Sequence, residues 1–381
     1  MVDLNWDIAR AKAGEQANRL SSESTQLSSS IGRVISKNLY SLVDLPTYQT
    51  SAMDGFAVSS ARGNWFIIGD VKAGKPFQGL LKDGEALSIA TGAVIPNGTF
   101  GILRWEDAHV LHGYVSGETT REKDFRGIGE EARKGETLIE AGTTLTPGMV
   151  GLLAAAGYDQ IQVISKPKVS LILLGDEILF SGLPTNGCVR DSLGVQLPGW
   201  LERLGCQVNK ITHESDQLES TKSILLTSCE ESDLVITTGG TAGGPRDFLH
   251  RAIVDLGGEI IIDKVAVRPG HPQLLGKVND TLILGLPGNP QSAIVGLMTL
   301  GKPIIDSMLG KTPKALPNIT TTDIFEAQEN FTRLVPGKLV NGVFTIGKYL
   351  GSAMLRSLAH ADGFAVCTNP VTTLRWLELP I

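Results

Sequence analysis

Three apolar runs in the second half of the chain each pass straight into a loop of glycine, proline and small polar residues. Residues 169–174 lead into Gly175-Asp176-Glu177, residues 233–236 into the TTGGTAGG segment at 237–244, and residues 281–284 into Gly285-Leu286-Pro287-Gly288-Asn289-Pro290. Continuous stretches such as VSLILL and LVI suit strands covered on both faces, as in a parallel sheet beneath helices. The carboxyl ends of such strands share one edge, and ligands bind in the crevice there. Glycine lets backbone amides approach a ligand closely, and the start of the next helix favours an anion. The pattern implies a doubly wound α/β domain with a pocket for a phosphate-bearing or oxyanion ligand.

With 381 residues the chain exceeds one ordinary core, which implies two to four domains. The net charge of −6 and the lack of any Lys/Arg block argue against a nucleic-acid partner. An anionic ligand would then depend on positive groups focused locally. No apolar run reaches the roughly 18 residues of a membrane span. The opening MVDLNWDIARAKAGE has charges throughout and lacks the apolar core of a secretory signal, which points to the cytoplasm. Cys188, Cys206, Cys229 and Cys367 lie far apart without CxxC spacing, as free thiols of a reducing compartment would. The six histidines form no HxxxH or HExxH pattern, which argues against a histidine-based metal centre.

Residues 1–43 read as helical, with Leu20, Leu27, Ile31, Val34 and Ile35 on an apolar face. Between 47 and 125 the texture changes to short strand-like runs (65–68, 86–90, 100–105) separated by glycine, a small β-rich domain. Thr146 and Pro147 predict the start of a helix over 148–156, with a strand at 161–164. The α/β block opens at Pro167 and carries helices near 195–204 and 292–298. A Pro/Lys-rich linker at 311–317 precedes short alternating runs (334–335, 343–346, 364–367, 374–377), a second small β domain.

Within TTGGTAGGPRD (237–247), clustered glycines allow several amides to point into an anion-binding concavity. Asp247 would orient a ligand hydroxyl or hold a divalent cation, or else cap the next helix. Asp176 and Glu177 are a solvated turn pair, or Glu177 is a general base at the crevice. Lys264 and Arg268 flank the strand-like KVAVR; four apart on a strand they share a face and would supply local positive charge. The alternative is a pair of surface cations. Pro287 and Pro290 make a rigid strand-to-helix turn, with Ser292 available to cap the helix. Alone, Asp54-Gly55 signals no more than a turn.

These segments resemble the molybdopterin molybdenumtransferase family, the MoeA-type enzymes related to the E domain of gephyrin. The resemblance covers nearly the whole chain in order: LPTYQTSAMDGFAV (45–58), VKAGKPFQG (71–79), GEALSIATGAVIPNG (84–98), GEEARKGETLIEAGTTLTPGMVGLLAAAG (129–157), KPKVSLILLGDEIL (166–179), DLVITTGG (233–240), KVAVRPGHP (264–272) and LGLPGNPQSA (284–293). It implies an elongated helical domain from 1–46 and 126–166, an inserted β-rich domain at 47–125, an α/β molybdopterin-binding domain at 167–312 and a C-terminal β-barrel at 313–381. It implies Mg²⁺-assisted insertion of molybdate into adenylylated molybdopterin with release of AMP, in a homodimer. Catalytic roles fall on Glu177, Asp54 and Asp247, with Glu177 and Asp247 at the metal. Substrate contacts fall on Thr91, Arg126, Glu131, Gly239, Gly240, Thr241, Lys264, Arg268, Pro287, Pro290 and Ser352.

The chain departs from the family pattern at several points. TGGTAGG stands where SGGVSVG is usual, Asp191-Ser192-Leu193 replaces Asp-Ser-Asn, Thr99-Phe100 replaces an Ala-Asp pair, and the lead-in to SAMDG differs. The Leu193 change removes donors and acceptors that apolar atoms do not replace. The GGT…PRD form resembles molybdopterin adenylyltransferases, which leaves adenylyl transfer from ATP and a non-catalytic molybdopterin-binding scaffold as alternatives.

Overall fold

The computed structural model describes residues 3–185, 187–241, 248–323, 326–368 and 374–380. The polypeptide forms two compact units: residues 1–23, 32–36 and 163–381 in one, 24–31 and 37–162 in the other.

In the first unit, adjacent apolar side chains along each strand go to opposite faces of the sheet, because strand side chains alternate. Leu171 and Leu173 join one apolar layer while Ile172 and Leu174 join the other; Leu234 and Ile236 likewise oppose Val235, and Leu282 and Leu284 oppose Ile283. Both faces must therefore be covered, and helices do so. Leu193–Leu204 buries Leu193, Leu197, Leu201 and Leu204 on one side. Leu218–Glu231 and Leu249–Asp255 bury Leu225 and Leu249, Ala252 and Ile253 on the other. The strand order is Gln207–Glu214, Lys168–Leu174, Leu234–Thr238, Thr281–Leu286, Leu274–Val278, Glu259–Asp263. The first four run parallel and the next two join by antiparallel pairing. This is the doubly wound sheet that the sequence pattern implies.

Strands Thr332–Val340, Val343–Ile346, Asn318–Thr321, Leu374–Glu378 and Gly363–Cys367 pair in that order, and Gly363–Cys367 pairs back with Thr332–Val340 to close a five-stranded barrel. Closure removes exposed edges. Val335, Phe344, Ala365 and Trp376 form an apolar cluster of this barrel. The short strand Val267–Arg268 runs parallel to the start of Thr332–Val340, with Arg268 opposite Arg333.

In the second unit, a six-stranded sheet has the order Gly101–Arg104, Gly55–Val58, Glu85–Ile89, Arg62–Val71, Tyr114–Glu118, His109–Leu111. Its alternation is equally regular: Phe56, Val58 and Leu103 line one face, Ala57, Leu87 and Ile102 the other. The helix Pro147–Ala155 starts as its sequence dictates, with Thr146 Oγ1 accepting from Met149 N at 3.3 Å.

The helical reading of residues 1–43 is corrected. Only Trp6–Glu15 is α-helical, burying Trp6, Ala9 and Ala13; Ser22–Gln26 is a strand and Leu27–Ser29 a single 3₁₀ turn. The SSESTQLSSS stretch explains the difference, since serine and threonine hydroxyls compete for backbone groups and weaken helix interiors. Leu27, Val34 and Ile35 are buried as expected, but not from one helical face.

No helix among the described residues is long and apolar enough to cross a membrane. All four cysteines are free. Burial pushes the Cys206 thiol up to about 12 and that of Cys229 up to about 11. Both stay protonated in the fold after the unfolded thiols, at 9.0, have begun to ionise. Their contribution to stability is complete below pH 9 and declines as pH rises through the folded values. Thiol titration at pH 8 is expected to modify the half-exposed Cys188 first, with Cys206 and Cys229 reacting only on unfolding. Fast modification of Cys206 in the native protein would contradict its burial.

Candidate active site

The parallel strands end together. Leu173 is in register with Thr238, and Thr238 with Leu286, so the loops after all three strands start side by side. Gly239 N donates to Leu286 O at 2.9 Å, joining the second loop to the third. Gly239 has φ +86°, and a Cβ there would lie 2.8 Å from the Leu174 carbonyl, so this junction requires glycine. Gly240 (φ +69°) and the part-buried Thr241 continue along the same edge. Residues 242–247, including the expected Asp247 and the PRD segment that suggests adenylyl transfer, lie outside the described residues.

At the first strand tip, the exposed carboxylate of Glu177 curls back over Gly175, where a Cβ would meet Glu177 Oε2 at 2.7 Å. His213 Nε2 donates to the Gly175 carbonyl at 2.8 Å, and Val189 N donates to the Glu177 carbonyl at 2.9 Å. The backbone that carries Glu177 is thus held on both sides, while its carboxylate enters no ion pair among the described residues.

Beside these tips lies a cavity of about 340 Å³, lined in part by Arg268, His271, Pro287, Asn289, Arg333 and Ser352. Three of the expected residues, Arg268, Pro287 and Ser352, therefore converge. Pairing of Val267–Arg268 with the barrel strand brings in Arg333, whose Nη1 donates to Glu326 O at 2.9 Å. Arg268 stacks its guanidinium 4.9 Å from the Phe331 ring centre. Neither arginine pairs with a carboxylate among the described residues. His271 Nε2 donates to Asp3 Oδ2 at 2.8 Å. Ser352 O accepts from Gln291 N at 3.0 Å and Ser292 N at 3.3 Å, satisfying donors at the start of helix Pro290–Gly296.

Three local expectations change. KVAVR is not one strand: Glu259–Asp263 ends before Lys264, whose φ is +68°. Only Val267–Arg268 resumes pairing. Four-residue spacing therefore does not put Lys264 on the face of Arg268, and Lys264 is not among the cavity-lining residues. Pro290 occupies the first turn of its helix rather than the cavity wall, and Asn289, not Ser292, is the N-cap. Leu193 is buried at 6% exposure in the main core, while Asp191 Oδ1 accepts from Leu193 N at 3.0 Å and Gly194 N at 2.8 Å. The departure at Leu193 is thus a packing choice. Leu193→Asn is expected to cost about 3 kcal/mol, through lost packing and a buried amide. Chemical denaturation checks it, and a loss below about 1 kcal/mol would contradict this role for Leu193.

In the second unit, Asp54 Oδ1 accepts from Thr91 N at 2.7 Å, so these two expected residues meet. Arg126 stands opposite Thr50 in the strand pair preceding the Asp54 turn. Glu131 sits apart from that turn, its N donating to Leu45 O at 2.8 Å. Sequence reasoning missed a brace here. Asp124 accepts two hydrogen bonds from Arg104, each at 2.7 Å, and its carbonyl accepts from Ala52 N at 2.7 Å. The Arg104 hydrogen bond holds the Asp124 carboxyl below the usual carboxylate range.

The sheet, its glycine-rich tips and the arginine-lined cavity define a doubly wound α/β protein with a polar ligand-sized hollow at the carboxyl edge. A family model described as the MoeA N-terminal region (domains I and II) matches residues 4–157, and one described as a probable molybdopterin binding domain matches residues 170–307. The molybdopterin molybdenumtransferase of Haemophilus influenzae is 31% identical over 337 residues, covering 85% of this chain and 83% of that protein. That of Staphylococcus aureus (strain COL) is 28% identical over 355 residues, covering 88% and 84%. The molybdopterin biosynthesis MoeA protein of Pyrococcus horikoshii OT3 shares the fold, with a TM-score of 0.82 at 21% identity over 99% of this chain and 98% of that one. The chain belongs to the molybdopterin molybdenumtransferase family, the MoeA-type transferases of molybdenum cofactor biosynthesis.

Proposed function

We propose that this chain inserts molybdate into adenylylated molybdopterin with release of AMP. The observation that carries the reading is the placement of Arg268 and Arg333 on paired strands in one cavity, without carboxylate partners among the described residues. On a chain of net charge −6, two such guanidiniums supply the local field that an anionic substrate needs. Arg268 and Arg333 would bind phosphate or molybdate oxygens, Ser352 and Asn289 would orient the ligand, and Pro287 would hold the wall. Amides at Gly240 and Thr241 would face the negative charge on the phosphate oxygens. Glu177 would position an attacking water and take its proton as the phosphoanhydride P–O bond breaks and AMP leaves, while the two dithiol protons depart with a displaced molybdate oxygen as water.

The resemblance also implies Mg²⁺, a cytoplasmic homodimer, Asp54 and Thr91 acting from the inserted domain, and Arg126 and Glu131 contacting substrate from the segment that follows it. Among the described residues no group of three or more His, Cys, Asp or Glu side chains is placed to hold a metal ion. Of the two expected ligands, Glu177 alone is described, so the steps above are assigned only to the protein's own groups. In the reading proposed here, Asp54 acts through a turn fixed by Thr91 and braced by Arg104–Asp124. Lys264 remains a candidate anion contact outside the cavity lining.

The test is reconstitution. The purified chain, given adenylylated molybdopterin and molybdate, is expected to release AMP and to yield cofactor that activates an apo molybdoenzyme. Binding without AMP or active cofactor would favour the scaffold reading, and pyrophosphate release from ATP the adenylyl-transfer reading.

A further inference from the structure

A second and larger hollow, of about 540 Å³, lies at the opposite edge of the sheet, lined by residues that include Ser21, Arg33, Lys166, Lys168, Gln207 and Asp233. Lys168 begins one central strand, Gln207 begins its neighbour, and Asp233 precedes the next. The walls are rigid. Asp233 Oδ2 accepts from Lys168 N at 2.8 Å while Asp233 N donates to Lys168 O at 2.9 Å. Ser165 N donates to Ser21 O at 2.9 Å. The largely buried Arg33 pairs with Glu23 and donates to Ile164 O at 2.9 Å.

The charges are not balanced in the same way. Arg33 is neutralised by Glu23, but the ammonium groups of Lys166 and Lys168 enter no ion pair among the described residues. Two unpaired ammoniums in a polar hollow favour an anion. Two carboxylates in the same lining, Glu23 and Asp233, disfavour a ligand that is anionic throughout and accept hydrogen bonds from hydroxyl groups. Ser21, Ser165 and Gln207 add neutral polar partners. We propose that this hollow binds a small phosphorylated polyol, with Lys166 and Lys168 on the phosphate and Asp233 and Glu23 on the hydroxyls. All of these lining residues belong to the first compact unit.

The experiment is calorimetric titration of the full chain at low salt with ribose 5-phosphate, ribose and inorganic phosphate. Ribose 5-phosphate is expected to bind best. The Lys166→Ala/Lys168→Ala variant is expected to bind it at least about tenfold more weakly, as loss of charge-assisted hydrogen bonds requires. Arg268→Ala, altered in the other cavity, is expected to bind it as the unaltered chain does. The inference is overturned if ribose 5-phosphate does not bind, if phosphate alone binds equally well, if the lysine variant binds unchanged, or if Arg268→Ala abolishes binding. The last result would assign the ligand to the cavity at the carboxyl edge. Unfolding curves of the lysine variant are expected to match the parent, because neither side chain is part of a described ion pair.

Discussion

Glu177→Gln is expected to lower AMP release by about 10²–10⁴-fold, the range for loss of a positioned proton acceptor, with unfolding unchanged. The substitution keeps the size of the side chain and the backbone bonds that fix it. Val189 N still donates to the Glu177 carbonyl, and His213 still donates to that of Gly175. Only the acceptor is lost, so substrate binding should change far less than turnover, and the kcat-against-KM split is the diagnostic. Turnover within threefold of the parent would remove Glu177 from the reaction. A companion change, Gly175→Ala, attacks the same group through geometry. At φ +144° the added Cβ is strained and meets the Glu177 carboxylate at 2.7 Å, so turnover should fall without loss of the acid itself.

Arg268→Ala and Arg333→Ala are each expected to weaken molybdopterin binding by about tenfold or more, and the double variant by more than either single. The two guanidiniums face one cavity from paired strands, so they share a ligand rather than serving separate sites. Sharing predicts coupling: the double loss should differ from the sum of the singles. Stability should change by less than about 1 kcal/mol, since relief of the like-charge repulsion offsets the lost Phe331 stacking or Glu326 hydrogen bond. Titration and unfolding curves check both claims. Affinity within twofold of the parent in either single variant would detach that arginine from the ligand.

Much of this arrangement is legible in the sequence for definite physical reasons. Uninterrupted apolar runs at 169–174 and 281–284 require cover on two faces, and the structure supplies two helical layers. Glycines after those runs mark where backbones approach, and Gly239 has the positive φ and the tight neighbour that explain its identity. Thr146-Pro147 fixes a helix start by local chemistry alone. What escapes is whatever depends on long-range pairing. Nothing local in Thr332-Arg333-Leu334 predicts that Arg333 will stand opposite Arg268, because register across a barrel seam is set by the whole sheet. The brace of Arg104 on Asp124 is likewise invisible, since one partner ends a strand and the other sits in a turn 20 residues further on. Periodicity misleads at KVAVR, where a left-handed Lys264 interrupts an otherwise convincing strand. It misleads again over 1–43, where serine-rich polarity imitates the solvent side of a helix.

The short parallel seam between Val267–Arg268 and the barrel strand holds two positive side chains next to each other. Like charges so placed push apart, and an anion settling between them turns that repulsion into a rivet. Loading should therefore tighten the seam itself. Amide hydrogens of Thr332 and Arg333 would exchange more slowly once a ligand is bound, by the amount its binding free energy favours the closed seam.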